Sequence, residues 1–320
     1  MQSFKYFILL LTFVSLSACT YFGDDKEVRE IERLEPAAGH FMMDYMPGQN
    51  TQVEPQAIKL NLPSAIARPM WVQNAALTKH HTSEQRPKIV VVIDDLGLKH
   101  FNSKRAAMLP GPLTMAYLPY ADDLPEQTKF AKAHGHELMV HMPMQPLRDT
   151  ADPGPNVLLT VLKKAELMKR IQKNLSAFDG YVGINNHMGS AFTQDQKGLE
   201  ILMAELQKRD ILYLDSRTSA TSIAEPTARR YNVATTGRDV FLDHVISEEF
   251  ITGALQRAED HALKHGSVIA IGHPHDLTLD ALEKWLPTLE RKGFELVPIT
   301  AIMTERDPRI QGITSAAFSP

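Results

Sequence analysis

Two adjacent carboxylates, Asp94 and Asp95, close a run of apolar residues that starts at Ile89. The run is rich in β-branched residues and lies between Pro87 and Gly97, which predicts a strand buried on both faces, as in a parallel sheet. Active sites of α/β proteins lie at the carboxyl ends of such strands. Adjacent side chains there point in different directions, so one carboxylate can bind a cation while the other acts as a base. A helix N-cap is the alternative, but it would account for only one of the two.

Further polar residues follow the later apolar segments of the chain. If the sheet is parallel, all of them lie on one rim, and this convergence is the functional signal. Taken singly, each is equally well explained as a turn, a helix cap or a partly buried side chain. We expect His134 and His136, in contrast, to be solvated residues near a helix end. The rim residues are His141, Asn185, Asn186, His187, Asp215, Ser216, Asp243, His244 and His273.

Histidine and aspartate on one rim suit metal-assisted hydrolysis. One carboxylate and two imidazoles, with the remaining positions open to water, form a recognised type of catalytic metal site. The metal lowers the pKa of bound water and polarises a carbonyl group. A spare carboxylate then serves as the base, and a protonated histidine serves as the acid for the leaving group.

The elements that must position these residues follow a regular alternation after Pro87. Short apolar strands alternate with helical patterns, which predicts a parallel sheet flanked by helices. Seven or eight such units favour a barrel over an open, doubly wound sheet. The predicted strands are 89–93, 113–118, 137–141, 181–184, 211–214, 233–235, 267–271 and 295–299, and the predicted helices are 123–134, 163–177, 195–209, 247–265 and 278–292.

Residues 1–19 have the pattern of a secretory signal, with Lys5 as its basic part and residues 6–14 as an apolar stretch too short to span a membrane comfortably. The stretch ends in Leu16-Ser17-Ala18-Cys19, which resembles a bacterial lipobox and implies lipidation of Cys19. Thr20 follows, and by resemblance to Gram-negative lipoproteins the absence of aspartate there favours the outer membrane, facing the periplasm. A plain signal peptide with an incidental cysteine is the alternative.

The rest of the chain divides into a tether at 20–86, a barrel domain at 87–304 and a tail at 305–320. The tether is rich in proline, glutamine, asparagine and charged residues and lacks sustained periodicity. Its segments 58–60 and 70–72 can dock on the domain as short extended pieces. Cys19 is the only cysteine, so once it is lipidated any metal must be held by His, Asp or Glu. The net charge of −4 gives no reason to expect nucleic-acid binding.

Five short motifs stand at the predicted strand ends: Ile93-Asp94-Asp95, His141-Met142-Pro143, Asn185-Asn186-His187-Met188-Gly189-Ser190, Asp215-Ser216 and Gly272-His273. Together they resemble the divergent polysaccharide deacetylase family, which belongs with the NodB-like carbohydrate deacetylases. The resemblance covers residues 87–304. It implies an α/β fold, an irregular (β/α) barrel of about seven strands, with a zinc-type site at its carboxyl rim.

The resemblance also implies roles for individual residues. Asp94 would be the base, and Asp95 would be a ligand of a divalent metal, with zinc as the expected ion. Ordinary deacetylases carry their two ligand histidines in one His-x-x-x-His motif, which this chain lacks, so His141 and His187 are the expected ligands. His273 would be the acid. Asn186, Asp215 and Ser216 would support the metal site from behind its ligands or contact the sugar.

The expected function is that of a metal-dependent hydrolase, an N-deacetylase acting on peptidoglycan or an exported polysaccharide. Because fold and metal do not fix a reaction, two alternatives stay open. The first is a non-catalytic envelope lipoprotein that binds glycan or a partner. The second is a glycosidase that uses Asp94 and Asp215 as its acid pair.

Overall fold

A computed structural model of the protein describes residues 68–76 and 86–310. The proposed signal, Cys19, most of the tether and the last ten residues therefore lie outside the described residues. Within them, no helix is long and apolar enough to cross a membrane. The strands are β1 (Lys88–Leu96), β2 (Thr114–Tyr117), β3 (Glu137–Met144), β4 (Gly183–Met188), β5 (Leu212–Asp215), β6 (Thr235–Gly237), β7 (Val240–Phe241), β8 (Ser267–Gly272) and β9 (Glu295–Leu296). The helices are α1 (Met70–Gln73), α2 (His100–Ala107), α3 (Leu124–Ala133), α4 (Lys164–Leu175), α5 (Gln196–Lys208), α6 (Ala224–Arg230), α7 (Glu248–His265), α8 (Asp276–Trp285) and α9 (Met303–Arg306).

The strands form one parallel sheet in the order β6-β5-β4-β3-β2-β1-β8-β7, and β9 adds to the start of β1. Only Arg238 and Asp239 separate β6 from β7, which lie at opposite ends of this order. The Arg238 N–H donates to the Asp215 carbonyl on β5, and the Asp239 N–H donates to the Ile269 carbonyl on β8. The chain thus passes from one end of the sheet to the other, and the sheet curves into an irregular barrel. With β6 and β7 taken as one broken strand, the barrel has about seven strands, as predicted.

Two apolar clusters lie on the two faces of the sheet. On β1, Ile89, Val91 and Ile93 face the surrounding helices, whereas Val90 and Val92 face the barrel interior. All five are fully buried, as a near-continuous apolar run in a parallel strand predicts. Burial of each such side chain stabilises the fold by about 1.5–3 kcal/mol.

The amino end of the barrel is closed in part by α1. The Trp71 side chain is 3% exposed and belongs to the interior cluster. The backbone N–H of Trp71 donates to the Asp210 carbonyl. The Asn74 amide donates to the Tyr181 carbonyl, and the Ala76 N–H donates to the Glu137 carboxylate. This part of the tether therefore docks as one helical turn, whereas the sequence suggested an extended piece.

Three local features differ from the sequence-based expectations. Helices α2 and α6 were not predicted, and the first residues of the proposed tail pack on the barrel, where Ile310 is buried. His136 was expected to be solvated but is 2% exposed. It donates from Nε2 to the Ala107 carbonyl and accepts the Leu113 N–H at Nδ1. Burial lowers its pKa to about 4, so it is a neutral structural residue.

Candidate metal centre

Strand alternation delivers the predicted residues to the inside of the carboxyl rim. On β1, Val90 and Val92 face inward, so Asp94 does too. On β3, inward Met139 is followed two residues later by His141. The same parity directs Asn185, His187 and His273 inward at the ends of β4 and β8.

Asp95 reaches the same rim because the backbone breaks this alternation. Its φ angle is 55°, and the register between β1 and β2 shifts between Ile93 and Leu96. A left-handed, non-glycine residue costs on the order of 1–3 kcal/mol, and such strain concentrates at functional sites. Met188 and Arg217, at the ends of β4 and β5, also have positive φ angles, of 52° and 50°.

Asp95, His141 and His187 form a cluster able to hold a cation. Asp95 Oδ1 lies 2.8 Å from His187 Nδ1 and 3.2 Å from His141 Nε2. It is nevertheless a buried atom without a hydrogen-bond partner, because neither ring nitrogen approaches it with hydrogen-bond geometry. Three potential ligand atoms of these residues lie within 4.8 Å of one another. One carboxylate and two imidazoles facing a common point fit a zinc-type cation.

The electrostatics of Asp95 fit the same role. Burial alone would raise the pKa of its carboxyl group, but His141 and His187 outweigh burial and hold the pKa far below its usual range. The side chain is therefore an anion at any physiological pH, as a metal ligand must be.

Asn185 fixes the orientation of one of these imidazoles. Its amide nitrogen donates to Asp94 Oδ1 at 2.7 Å and to Ser216 Oγ at 3.2 Å. Its oxygen therefore faces His141 and accepts the hydrogen bond from Nδ1 at 2.8 Å. With Nδ1 bonded to Asn185, Nε2 is the ring nitrogen of His141 that faces Asp95, as for a histidine that binds metal through Nε2.

Asp94 is 2% exposed and lies beside the cluster. Its Oδ2 is 3.7 Å from His141 Nε2. Burial raises the pKa of Asp94, while His141, His273 and the Asn185 hydrogen bond oppose the rise without cancelling it. A carboxylate with a raised pKa, next to a cation site, has the properties of a general base.

His273 is held by Asp243, to which the sequence analysis assigned no role. Asp243 Oδ1 accepts a hydrogen bond from His273 Nδ1 at 3.0 Å, and Oδ2 accepts the backbone N–H of His273 and the hydroxyl of Thr278. Burial would lower the pKa of His273, but Asp243, together with Asp95 and Asp94, raises it to about 9. His273 is therefore an imidazolium at neutral pH, with Nε2 3.9 Å from Asp95 Oδ2.

Comparison with known proteins assigns the chain to a family. The family model for divergent polysaccharide deacetylases matches residues 91–303, which is more than half of the chain. The chain belongs to the divergent polysaccharide deacetylase family.

Two bacterial relatives and one solved structure are similar to this chain. The chain is 33% identical over 219 residues to the uncharacterized protein YibQ of Escherichia coli K12, covering 68% of each chain. It is also 33% identical over 204 residues to an uncharacterized protein of Haemophilus influenzae, covering 63% of this chain and 72% of the relative. The crystal structure of the uncharacterized protein ATU2773 from Agrobacterium tumefaciens C58 superposes with a TM-score of 0.70 at 26% identity, covering 73% of this chain and 95% of that one.

In this member of the family, Asp215 and Asn186 hold the loop after β5. Asp215 accepts the Arg217 N–H at 2.8 Å and the Ser222 hydroxyl at 2.7 Å. The Asn186 oxygen accepts the backbone N–H of Ser216 at 2.9 Å. Both carboxylate oxygens of Asp215 thus accept hydrogen bonds from the loop after β5. Its carboxylate has no described hydrogen bond or ion pair to the metal cluster, which argues against an acid pair with Asp94.

A cavity of about 460 Å³ opens over the cluster. Asp94, Asp95 and the three histidines line one part of it. The rest of the lining comes from the ends of β4 and β8, the loop after β5, the β6–β7 crossing, β7 and the residues after it; it includes Asn186, Met188, Arg217, Thr218, Arg238, Phe241 and His244. Its volume is typical of a small-molecule or sugar-sized binding site.

Proposed function

We propose that this chain is a metal-dependent hydrolase that removes N-acetyl groups from an envelope or exported polysaccharide. The observation that carries the proposal is Asp95 Oδ1, which is buried without a hydrogen bond and faces two imidazole nitrogens at 2.8 and 3.2 Å. An ordinary polar cluster would satisfy this oxygen with a donor. A shared divalent cation would satisfy it, and the same cation would explain the family motifs around it.

Asp95, His141 and His187 would hold the ion, which we expect to be zinc. When bound, such an ion polarises an acyl carbonyl group and lowers the pKa of a bound water. The inward position of Asn185 keeps the His141 ring ready for this role, because Nδ1 is committed to the Asn185 oxygen.

Asp94 and His273 would move the protons of the reaction. Asp94, with its raised pKa, would accept the proton of the attacking water at Oδ2. His273 would donate its Nε2 proton to the departing sugar nitrogen, since Asp243 keeps it protonated at neutral pH. One proton taken up at Asp94 and one released from His273 balance the hydrolysis of an amide to acetic acid and an amine, and the acid then passes its proton to the amine or to solvent.

The proposed location follows from the start of the chain. A lipid on Cys19 and a long tether would hold the barrel at the outer membrane, facing the periplasm. Peptidoglycan or a polysaccharide on its way out of the cell would then be the available substrate.

The test is release of acetate from acetylated chitooligosaccharides and muropeptides by the purified chain, loaded separately with zinc, cobalt, nickel or manganese. We expect stoichiometric metal and acetate release that Asp94→Asn abolishes. Stoichiometric metal without acetate from any substrate would support the non-catalytic, glycan-binding alternative. New reducing ends in the same reactions, without acetate, would indicate a glycosidase.

A further inference from the structure

The cavity above the metal cluster carries positive charge that the proposed hydrolysis of a neutral amide does not use. Arg217 and Arg238 both line it, beside the residues that would perform the chemistry. Neither is a ligand candidate, because guanidinium groups stay protonated in proteins.

Arg238 is held rigidly at the crossing between β6 and β7. Its Nε donates to the Ser216 carbonyl at 2.7 Å, and Nη2 donates to the Arg217 carbonyl at 3.0 Å. Its guanidinium lies 4.8 Å from the centre of the Phe241 ring, and that ring lies 5.5 Å from the His273 ring. Phe241 is thus a neighbour of both the fixed cation and the ring of the proposed acid.

Arg238 forms no direct ion pair in the part of the chain that the structure describes, although Asp94, Asp215 and Asp239 act on its charge from farther away. Its hydrogen-bond acceptors are neutral carbonyl groups, and it forms no ion pair with a described carboxylate within 4.0 Å. Nη1 donates no hydrogen bond to a described residue. Arg217, in contrast, pairs with Glu225 at 2.7 Å and is about half exposed.

Burial lowers the pKa of this immobilised guanidinium and the more distant carboxylates oppose the shift, so a carboxylate in direct contact would stabilise the charge further. A guanidinium with a free edge binds a carboxylate through two parallel hydrogen bonds. Because the carbonyl contacts fix Arg238, little side-chain entropy would be lost on binding.

We propose that Arg238 binds a carboxylate carried by the same sugar as the scissile acyl group, so that the substrate is an acidic glycan. The inference rests on the proposed function for the position of the acyl group, and it adds the class of sugar. An N-acetylated sugar with a carboxylate-bearing ether substituent, as in muramic acid, has both groups on one ring.

The experiment measures binding, so that it does not depend on turnover. Calorimetry of the zinc-loaded full chain compares N-acetylmuramic acid with N-acetylglucosamine, which lacks the lactyl ether that carries the carboxylate. N-acetylglucosamine 6-phosphate tests whether the site takes a phosphate instead. We expect the carboxylate sugar to bind at least about 10-fold more tightly than the neutral one, as a hydrogen bond to a charged group allows.

Arg238→Gln should remove this preference, measured as the ratio of the affinities for the two sugars in the same variant. Arg257→Gln is the matched control, because Arg257 also lies over an aromatic ring, Phe250, but does not line the cavity. Arg238→Lys keeps the charge but cannot form two parallel hydrogen bonds to a carboxylate, so it should retain part of the preference. It also guards against a failure of Arg238→Gln to fold.

Equal affinity for the acidic and neutral sugars, or a preference that survives in folded Arg238→Gln, would overturn the inference. So would tighter binding of the phosphate sugar than of the carboxylate sugar. An Arg238-dependent preference in a chain that never releases acetate would leave this inference standing while the proposed deacetylation fails.

Discussion

Asn185 accepts a hydrogen bond from Nδ1 of His141 at 2.8 Å, and this contact sets which nitrogen of the ring faces Asp95. The two residues are direct partners in the β3–β4 ladder, so neighbouring strands bring them together. The orientation of a metal-binding imidazole is therefore built into the sheet register, because a slip between β3 and β4 would remove it.

Replacing Asn185 with alanine should weaken zinc binding by about 10–100-fold, the usual effect of losing an outer partner of a ligand histidine. Zinc affinity can be measured by competition with a chromophoric chelator. Asn74→Ala is the control, since Asn74 makes its amide contact with Tyr181, away from the metal cluster. Unchanged zinc affinity in Asn185→Ala would show that His141 is not oriented for metal by this contact.

Substitution of the two adjacent aspartates, Asp94 and Asp95, should remove different properties of the protein. Asp95→Asn removes the anion at the centre of the cluster, and we expect a larger loss of metal than Asn185→Ala causes. Asp94→Asn should keep stoichiometric metal and lose acetate release, because its role is to take a proton. Elemental analysis and acetate release on the same preparations separate the two roles. Metal retained by Asp95→Asn, or lost from Asp94→Asn, would contradict this division.

Strand periodicity carries most of what the sequence could reveal about this site. The apolar runs place the strand ends, and their parity directs Asp94, His141 and His273 inward. On β4, outward Ile184 means that Asn185 points to His141 and Asp94, whereas Asn186 bonds to the loop after β5 and borders the cavity. Applied to β5, the same parity directs Asp215 away from the cavity. Taken as one rim set, these polar residues give Asn185 no separate role, and only parity distinguishes it from Asn186.

Other features depend on the folded backbone and leave no periodic signal. Asp95 joins the site through a left-handed φ angle, which its residue type permits but does not require. The barrel closes through a two-residue crossing between β6 and β7, each only two or three residues long. The Asp243–His273 pair joins residues 30 positions apart, so only the assembled sheet shows it.

Glu137 predicts a pH dependence of stability at the amino end of the barrel. Its buried carboxylate accepts hydrogen bonds from Ala76 and Thr300, yet burial raises its pKa to about 7 from an ordinary 4.5. The folded chain therefore binds more protons than the unfolded chain between pH 4.5 and 7. Because of this group, the free energy of unfolding should fall as the pH rises through that window, by on the order of 3 kcal/mol.

The check is denaturant unfolding of the wild type and Glu137→Gln at several pH values. The difference between the two isolates Glu137 from His136, whose lowered pKa has the opposite effect. His136 contributes stability that is complete above pH 6.5 and is lost as the pH falls towards 4. We expect the stability of Glu137→Gln relative to the wild type to increase from pH 5 to pH 7. A difference independent of pH would show that Glu137 is ionised throughout.

Trp71 tests whether the docked turn of the tether belongs to the folded domain. Its side chain is 3% exposed in the interior cluster, so Trp71→Ala should lower the free energy of unfolding by about 3 kcal/mol. Met70→Ala is the control, because Met70 is 42% exposed and should change stability by less than about 0.5 kcal/mol. Equal stabilities for the two variants would mean that this turn does not contribute to the domain in solution.

His273 can be tested as an acid by changing the leaving group. An amine must be protonated as it departs, whereas the phenolate of an aryl acetate leaves without help. His273→Gln should therefore lower kcat on an N-acetylated sugar by about 10²–10⁴-fold and change aryl acetate hydrolysis far less. Asp243→Asn should show the same selectivity with a smaller loss, since it acts by holding His273 Nδ1. His265→Gln, on the exposed end of α7, should match the wild type on both substrates. Equal losses on amide and ester would mean that His273 supports the metal cluster or substrate binding, because only an acid distinguishes the two leaving groups.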